Sequence, residues 1–164
     1  LMTKEADGEW YYQQVELGFN YRMTELQAAL GVSQMQRLDE FITKRHILQE
    51  RYDLLLEDLP IIKPYQDKGG YSALHLYPIQ IDMEKNTKSR EQIFNNLRSK
   101  GVGVNVHYIP IHTQPYYRQF GFSGGDFTIS EEYYRKAISL PIYHGMKFSE
   151  QDLVVEKLEI ILKG

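Results

Sequence analysis

A chain of 164 residues, 42% hydrophobic and 25% charged, has the apolar content for a domain with its own core, and its composition excludes a disordered or fibrous protein. A net charge of −3 and an isoelectric point near 6.0 supply no general basic field, so nucleic-acid binding is not expected and any phosphate recognition must be local. The absence of cysteine excludes disulfides, thiolate metal sites and cysteine nucleophiles, and fits a reducing, cytoplasmic setting.

No apolar run reaches the roughly 18 residues of a membrane span, and the N-terminus has no signal-peptide pattern. Residues 1–16 begin without a natural start and read as the middle of a longer protein. Then comes Leu17-Gly18-Phe19-Asn20-Tyr21-Arg22-Met23, a polar loop directly before a helix start. Asn20 brings an amide with donors and an acceptor, and Arg22 a planar cation matched to phosphate or carboxylate.

Thr24-Glu25-Leu26-Gln27 is a capping-box sequence, in which the Thr hydroxyl takes one free backbone N–H and the Gln reaches back to another. Apolar residues from Leu26 to Leu55 continue at helical spacing and predict a long, buried helix over about 24–57, with a bend available between Gly31 and Gln36. Pro60 and Pro64 end it, and Asp67-Lys68-Gly69-Gly70 marks a turn. Residues 73–82 read as a strand, and a second capping box at Ser89 with Gln92 opens a helix that Gly101 terminates. A short strand over Val102–Val106, a helical turn near Tyr116–Phe120, a helix over 130–137, a strand over 139–143 and a helix over 149–162 complete the chain. This order predicts an α+β fold around a small, mainly antiparallel sheet.

The densest polar cluster follows residue 106: His107-Tyr108-Ile109-Pro110-Ile111-His112-Thr113-Gln114-Pro115-Tyr116-Tyr117-Arg118. Two prolines frame a loop that presents His107, Tyr108, His112 and Tyr116, groups able to move protons or meet an anion. Equally, such histidines cap backbone groups in a rigid loop, and composition alone favours that reading. Among the histidines at 46, 75, 107, 112 and 144 there is neither an i, i+4 pair on a predicted helix nor HExxH, so no metal site is expected. His46 is assigned to a charged helix surface. No phosphate-cradling glycine loop and no nucleophile elbow appear, so no catalytic residue is assigned within this chain.

Gly18-Phe19-Asn20-Tyr21-Arg22-Met23-Thr24-Glu25-Leu26-Gln27-Ala28-Ala29-Leu30-Gly31 closely resembles the G-x-N-x-R-M-x-E-x-x-A-A-x-G signature of the DegT/DnrJ/StrS family of sugar aminotransferases. Tyr71–Pro78, Gly101–Tyr117 and Ser139–Tyr143 agree with the same family in order and spacing. The wording is nearest to 4-aminotransferases of UDP-4-keto-6-deoxy sugars, as in pseudaminic-acid or spore-coat polysaccharide biosynthesis. The resemblance implies the small C-terminal domain of the aspartate-aminotransferase fold (PLP fold type I), with 1–23 an interdomain, active-site loop segment and 24–164 the C-terminal domain. It further implies a homodimer with shared active sites, pyridoxal phosphate held mainly by an absent large domain, and ping-pong transamination from glutamate to a nucleotide sugar. By the same resemblance Asn20 matches the asparagine that reaches the partner subunit's cofactor phosphate, Arg22 matches the motif arginine, which either helps bind the anionic cofactor or nucleotide or orders the loop, and His107, Tyr108, His112 and Tyr116 match the loop on the sugar-nucleotide side. None of the eleven lysines stands in a Ser-x-His-x-x-Lys context, so the Schiff-base lysine is missing and the chain alone is expected to be inactive. Two alternatives are a PMP-dependent sugar dehydratase of the same family, in which histidine replaces that lysine, and a non-catalytic sugar-nucleotide binding or dimerisation module.

Overall fold

The structure, a computed structural model, describes Phe19 and residues 21–164. Its contacts group into two compact units, Leu1–Leu38 and Asp39–Gly164.

In the first unit α1 spans Glu25–Met35. The Thr24 hydroxyl accepts the Gln27 N–H at 3.3 Å while Gln27 Oε1 accepts the Thr24 N–H at 2.9 Å, so the predicted capping box is formed. The expectation of one long, buried helix needs correction on two counts. The helix stops at Met35 and a second begins at Leu38, with Gln36 and Arg37 in a turn between them. Moreover α1 buries none of its residues: Leu26, Leu30, Val32 and Met35 are exposed, because the described part of this unit has no sheet to pack on. Gly31 is equally open, with no atom within 4 Å of where a Cβ would stand.

The second unit holds the core. Helix α2 (Leu38–Leu55) contributes Leu48 and Tyr52, and Leu56 just beyond continues the same i, i+4 stripe. Strand β1 is only Ile61–Ile62, too short for its alternation to be read from sequence. Strand β2 (Tyr77–Ile81) is central and β3 (Ala137–Leu140) lies on its other side, giving the antiparallel order β1-β2-β3. Register pairs Ile61 with Ile81 and sets Tyr77, Pro78, Ile79 and Gln80 against Leu140, Ser139, Ile138 and Ala137.

Strand β2 is shorter than the predicted 73–82. Leu74 sits at φ 50°, its N–H bonded to Ser72 Oγ, and Arg45 of α2 draws the Leu74, His75 and Ile142 carbonyls onto its guanidinium at 2.9–3.2 Å. These carbonyls are turned onto the Arg45 guanidinium rather than toward a neighbouring strand. Pro78 is tolerated in the middle strand for a related reason. Both backbone groups of its partner Ser139 bond to Asn105 instead, at 2.8 and 3.3 Å, so Pro78–Ser139 is the non-hydrogen-bonded kind of pair and the missing N–H costs no bond to β3.

That Asn105–Ser139 bridge is all that forms of the strand predicted over Val102–Val106. Val102 and Val104 are buried, but the segment leaves the edge of β3 after one bridge. Before it, α3 (Arg90–Ser99) has its predicted capping box at Ser89 and ends in a full Schellman motif. Gly101 takes φ 80°, its N–H reaching the Arg98 carbonyl and the Val102 N–H the Leu97 carbonyl, both at 3.0 Å.

Helix α6 (Phe148–Lys163) closes the core with Val154, Val155, Leu158 and Ile161. It is locked to α2 by the wholly buried Gln151, whose Nε2 donates to the Leu48 carbonyl at 2.7 Å and whose Oε1 accepts from Arg51 at 3.1 Å. Tyr77 Oη donates to Asp53 of α2 at 2.5 Å; burial first, and then this bond to a carboxylate, push its pKa well above the usual phenol value. Leu158→Ala should therefore cost about 2–5 kcal/mol by opening a cavity between α3, α6 and the sheet. The exposed Ile129→Ala should stay within about 0.5 kcal/mol. Urea titration of both variants checks this.

Candidate functional site

The polar loop begins where the Asn105 bridge ends. Because Asn105 is pinned to Ser139, His107 falls beside the same residue, and its Nδ1 lies 2.8 Å from the buried Ser139 hydroxyl. Tyr108 is 71% exposed, set edge-on to the His107 ring with centroids 4.5 Å apart, and the peptide between them is cis.

Pro110 is buried, and its carbonyl accepts both the Thr113 hydroxyl at 2.7 Å and the Thr113 N–H at 3.0 Å, which closes a 3₁₀ turn over Ile111–Thr113. Gln114, extended as a residue before proline must be, hands over to α4 (Pro115–Arg118) with Pro115 in its first turn. Tyr116 projects from α4, 65% exposed and edge-on to Tyr117 and Phe120 at 5.3 and 5.5 Å. Val106–Tyr117 is thus a hydrogen-bonded frame with exposed aromatic tips.

His112 is placed differently from its sequence neighbours. Only 7% exposed, it points into the domain, where Nε2 meets Glu131 Oε1 of α5 (Thr128–Lys136) at 2.7 Å. The same Glu131 oxygen accepts the Gly125 N–H at 2.8 Å. Glu131 therefore ties both ends of the segment from residue 112 to 125 onto α5. The His112 bond, followed by the Gly125 N–H, holds its carboxyl below the usual carboxylate range. Beside this pair Ile111, His112, Tyr117, Phe122, Phe127 and Ser130 enclose an open, largely aromatic cavity of about 430 Å³.

The structure thus gathers His107, Tyr108, His112 and Tyr116 on one frame, two aromatic tips outward and His112 inward. Ser139 and Glu131, which brace the two histidines, are not singled out by sequence reasoning. One lies in an apolar strand and the other in a charge-rich helix, and nothing local marks either. His46 is not the free surface residue the sequence suggests: Nε2 lies 2.8 Å from the Ser72 carbonyl and its ring stacks on Tyr71 at 4.4 Å. His144 stacks on Phe41 at 4.0 Å, and His75 is exposed. Among the described residues no three His, Cys, Asp or Glu side chains gather as metal ligands.

In the first unit Asn20 lies outside the described residues, so its assigned role rests on sequence. Arg22 is exposed and lines an open depression with Tyr21, Met23 and Gln27. A guanidinium there fits the phosphate of pyridoxal phosphate. Among the described lysines, Lys44, Lys63, Lys85, Lys136 and Lys163 pair with carboxylates, and Lys157 donates to the Lys100 carbonyl.

Comparison with known proteins gives the same picture. The chain is 36% identical over 162 residues to the spore coat polysaccharide biosynthesis protein SpsC of Bacillus subtilis, covering 97% of this chain and 42% of that one. It is 31% identical over 157 residues to the UDP-4-amino-4,6-dideoxy-N-acetyl-beta-L-altrosamine transaminase of Campylobacter jejuni, covering 94% and 41%. Among solved structures, NtdA of Bacillus subtilis with its cofactor PMP bound superposes with a TM-score of 0.76 at 30% identity, over 93% of this chain and 35% of that one. The chain therefore spans about two fifths of the length of the curated relatives it matches, and its α+β architecture is that of the C-terminal part of PLP-dependent aminotransferases. The family model for DegT/DnrJ/EryC1/StrS aminotransferases matches residues 2–159, and the chain belongs to that family.

Proposed function

We propose that the protein carrying this chain is a nucleotide-sugar 4-aminotransferase. It uses glutamate as amino donor and a UDP-4-keto-6-deoxy sugar as acceptor, in the cytoplasmic synthesis of a bacterial surface, flagellin or spore-coat polysaccharide. The observation that carries this is the braced loop over residues 106–117, which holds Tyr108 and Tyr116 at the surface with His107 half-buried beside them, within a chain matched to the family from residue 2 to 159.

Pyridoxal phosphate, when bound, supplies the amino-group transfer itself. This chain's residues bind and orient. Asn20 and Arg22 hold the cofactor phosphate, Asn20 reaching it across the homodimer. His107, Tyr108 and Tyr116 form one wall of the sugar-nucleotide cleft, and His112 supports that wall from within through Glu131. A rigid wall fixes the keto carbon before the reaction begins, which is where positioning contributes to rate.

The test is an assay of the full-length protein with glutamate and a panel of UDP- and dTDP-linked 4-keto sugars. Formation of the 4-amino sugar together with 2-oxoglutarate is expected, with preference for a UDP sugar. A deoxygenated product without net amino transfer would instead make the protein a dehydratase. Binding without turnover would make it a non-catalytic module.

A further inference from the structure

We infer that Ser139 fixes the tautomer of His107, so that Nε2–H is the hydrogen-bond donor this loop offers to the sugar nucleotide. Ser139 is then a positioning residue for substrate. The inference rests on the proposed function for the identity of the ligand, but its structural half stands alone.

Ser139 lies in the middle of β3 and is only 5% exposed. Its backbone N–H and C=O are both used by Asn105, leaving the hydroxyl as its one remaining polar group. That hydroxyl has a single hydrogen-bond partner among the described residues, His107 Nδ1 at 2.8 Å. A hydroxyl brings one hydrogen and can accept besides, whereas each nitrogen of a neutral imidazole does only one of the two.

If Nδ1–H donated to Ser139, the buried hydroxyl hydrogen would have no acceptor, a loss comparable to a missing hydrogen bond in the interior. If the hydroxyl donates to Nδ1, both members of this inner pair are satisfied, and the ring proton must sit on Nε2. The half-buried His107 ring has no partner for Nε2 among the described residues. The outward nitrogen is thus a donor, suited to an oxygen-rich acceptor such as a phosphate or a sugar hydroxyl. Asn105 contributes by pinning the chain so that His107 always falls beside Ser139.

Two measurements on the full-length protein separate the tautomer from its use. In long-range ¹H–¹⁵N spectra of histidine-labelled protein, His107 should show the Nε2–H tautomer, and Ser139→Ala should release that preference; an Nδ1–H form in the wild type would overturn the inference whatever the enzyme does. In steady-state kinetics, His107→Gln, whose amide N–H can stand near the place of Nε2–H, should keep KM for the sugar nucleotide within a few-fold. His107→Asn, which mimics Nδ1, should raise it about tenfold, the size of one hydrogen bond to a charged group. Ser139→Ala should raise the same KM several-fold with the KM for glutamate unchanged, and Ser139→Thr should restore it. Equal KM values for His107→Gln, His107→Asn and wild type would remove the substrate role. A wild-type enzyme that turns over no keto-sugar nucleotide would instead overturn the proposed function while leaving the tautomer result standing.

Discussion

In the full-length protein, Glu131→Leu should raise KM for the nucleotide sugar about tenfold or more, with a much smaller change in KM for glutamate. One carboxylate oxygen accepts both the His112 ring and the Gly125 N–H, and charge-assisted bonds of this kind are the stronger class. Without them His112 is left buried with an unpaired ring nitrogen, and the segment from 112 to 125 loses its tether to α5. The wall carrying Tyr116 would then sample positions that do not meet substrate.

Glu131→Gln keeps an acceptor oxygen but not the charge, so it should fall between wild type and Glu131→Leu. The pH dependence follows from the direction of the Glu131 shift. Its folded-state pKa is held below the unfolded value, mainly by His112, so the tether's contribution is present above the ordinary carboxylate range and lost as pH falls through the lowered folded value. An acid limb in the KM profile that is present in wild type and absent in Glu131→Gln would fit this. Identical profiles would count against it.

Asn20→Ala should lower cofactor retention about 10- to 100-fold, the range for one hydrogen bond to a charged group. A deletion acting only through folding would change the unfolding midpoint in parallel. A phosphate-binding role instead leaves the midpoint of the cofactor-free protein unchanged and allows partial rescue by high pyridoxal phosphate. Arg22→Gln should act in the same direction, since an anionic phosphate loses a cation.

How much of this could be read from the chain itself differs by element, and the differences have physical causes. Helix α3 was fully legible, because its start and stop are local: Ser89 and Gln92 make the box, and Gly101 the left-handed cap. The place of the break near Gln36 was legible too, but the exposure of α1 was not, since helical spacing reports an apolar stripe without saying what covers it. Strand ends were lost where tertiary partners captured backbone groups, as Arg45 does at Leu74 and His75. The segment from Val102 to Val106 looks like a strand because Val102 and Val104 are core residues, yet only Asn105 bridges.

For the site, the loop at 107–116 was visible as a cluster and its family signature was specific. The inward turn of His112 and the roles of Ser139 and Glu131 depend on residues 19 and 32 positions away from their partners, which no local pattern encodes. Asn20 lies outside the described residues and rests on its motif alone.

If this chain supplies part of a site whose remainder belongs to the neighbouring subunit, two inactive variants should complement each other when mixed. One full-length variant carries Asn20→Ala, kept at limiting pyridoxal phosphate so that its own sites stay empty; the other lacks the upstream lysine of the large domain. Random re-association makes half the dimers mixed, and each mixed dimer has one intact site, so about a quarter of wild-type activity should return. A mixture that stays as inactive as its components would show that Asn20 and the lysine serve the same subunit and that the site is not shared.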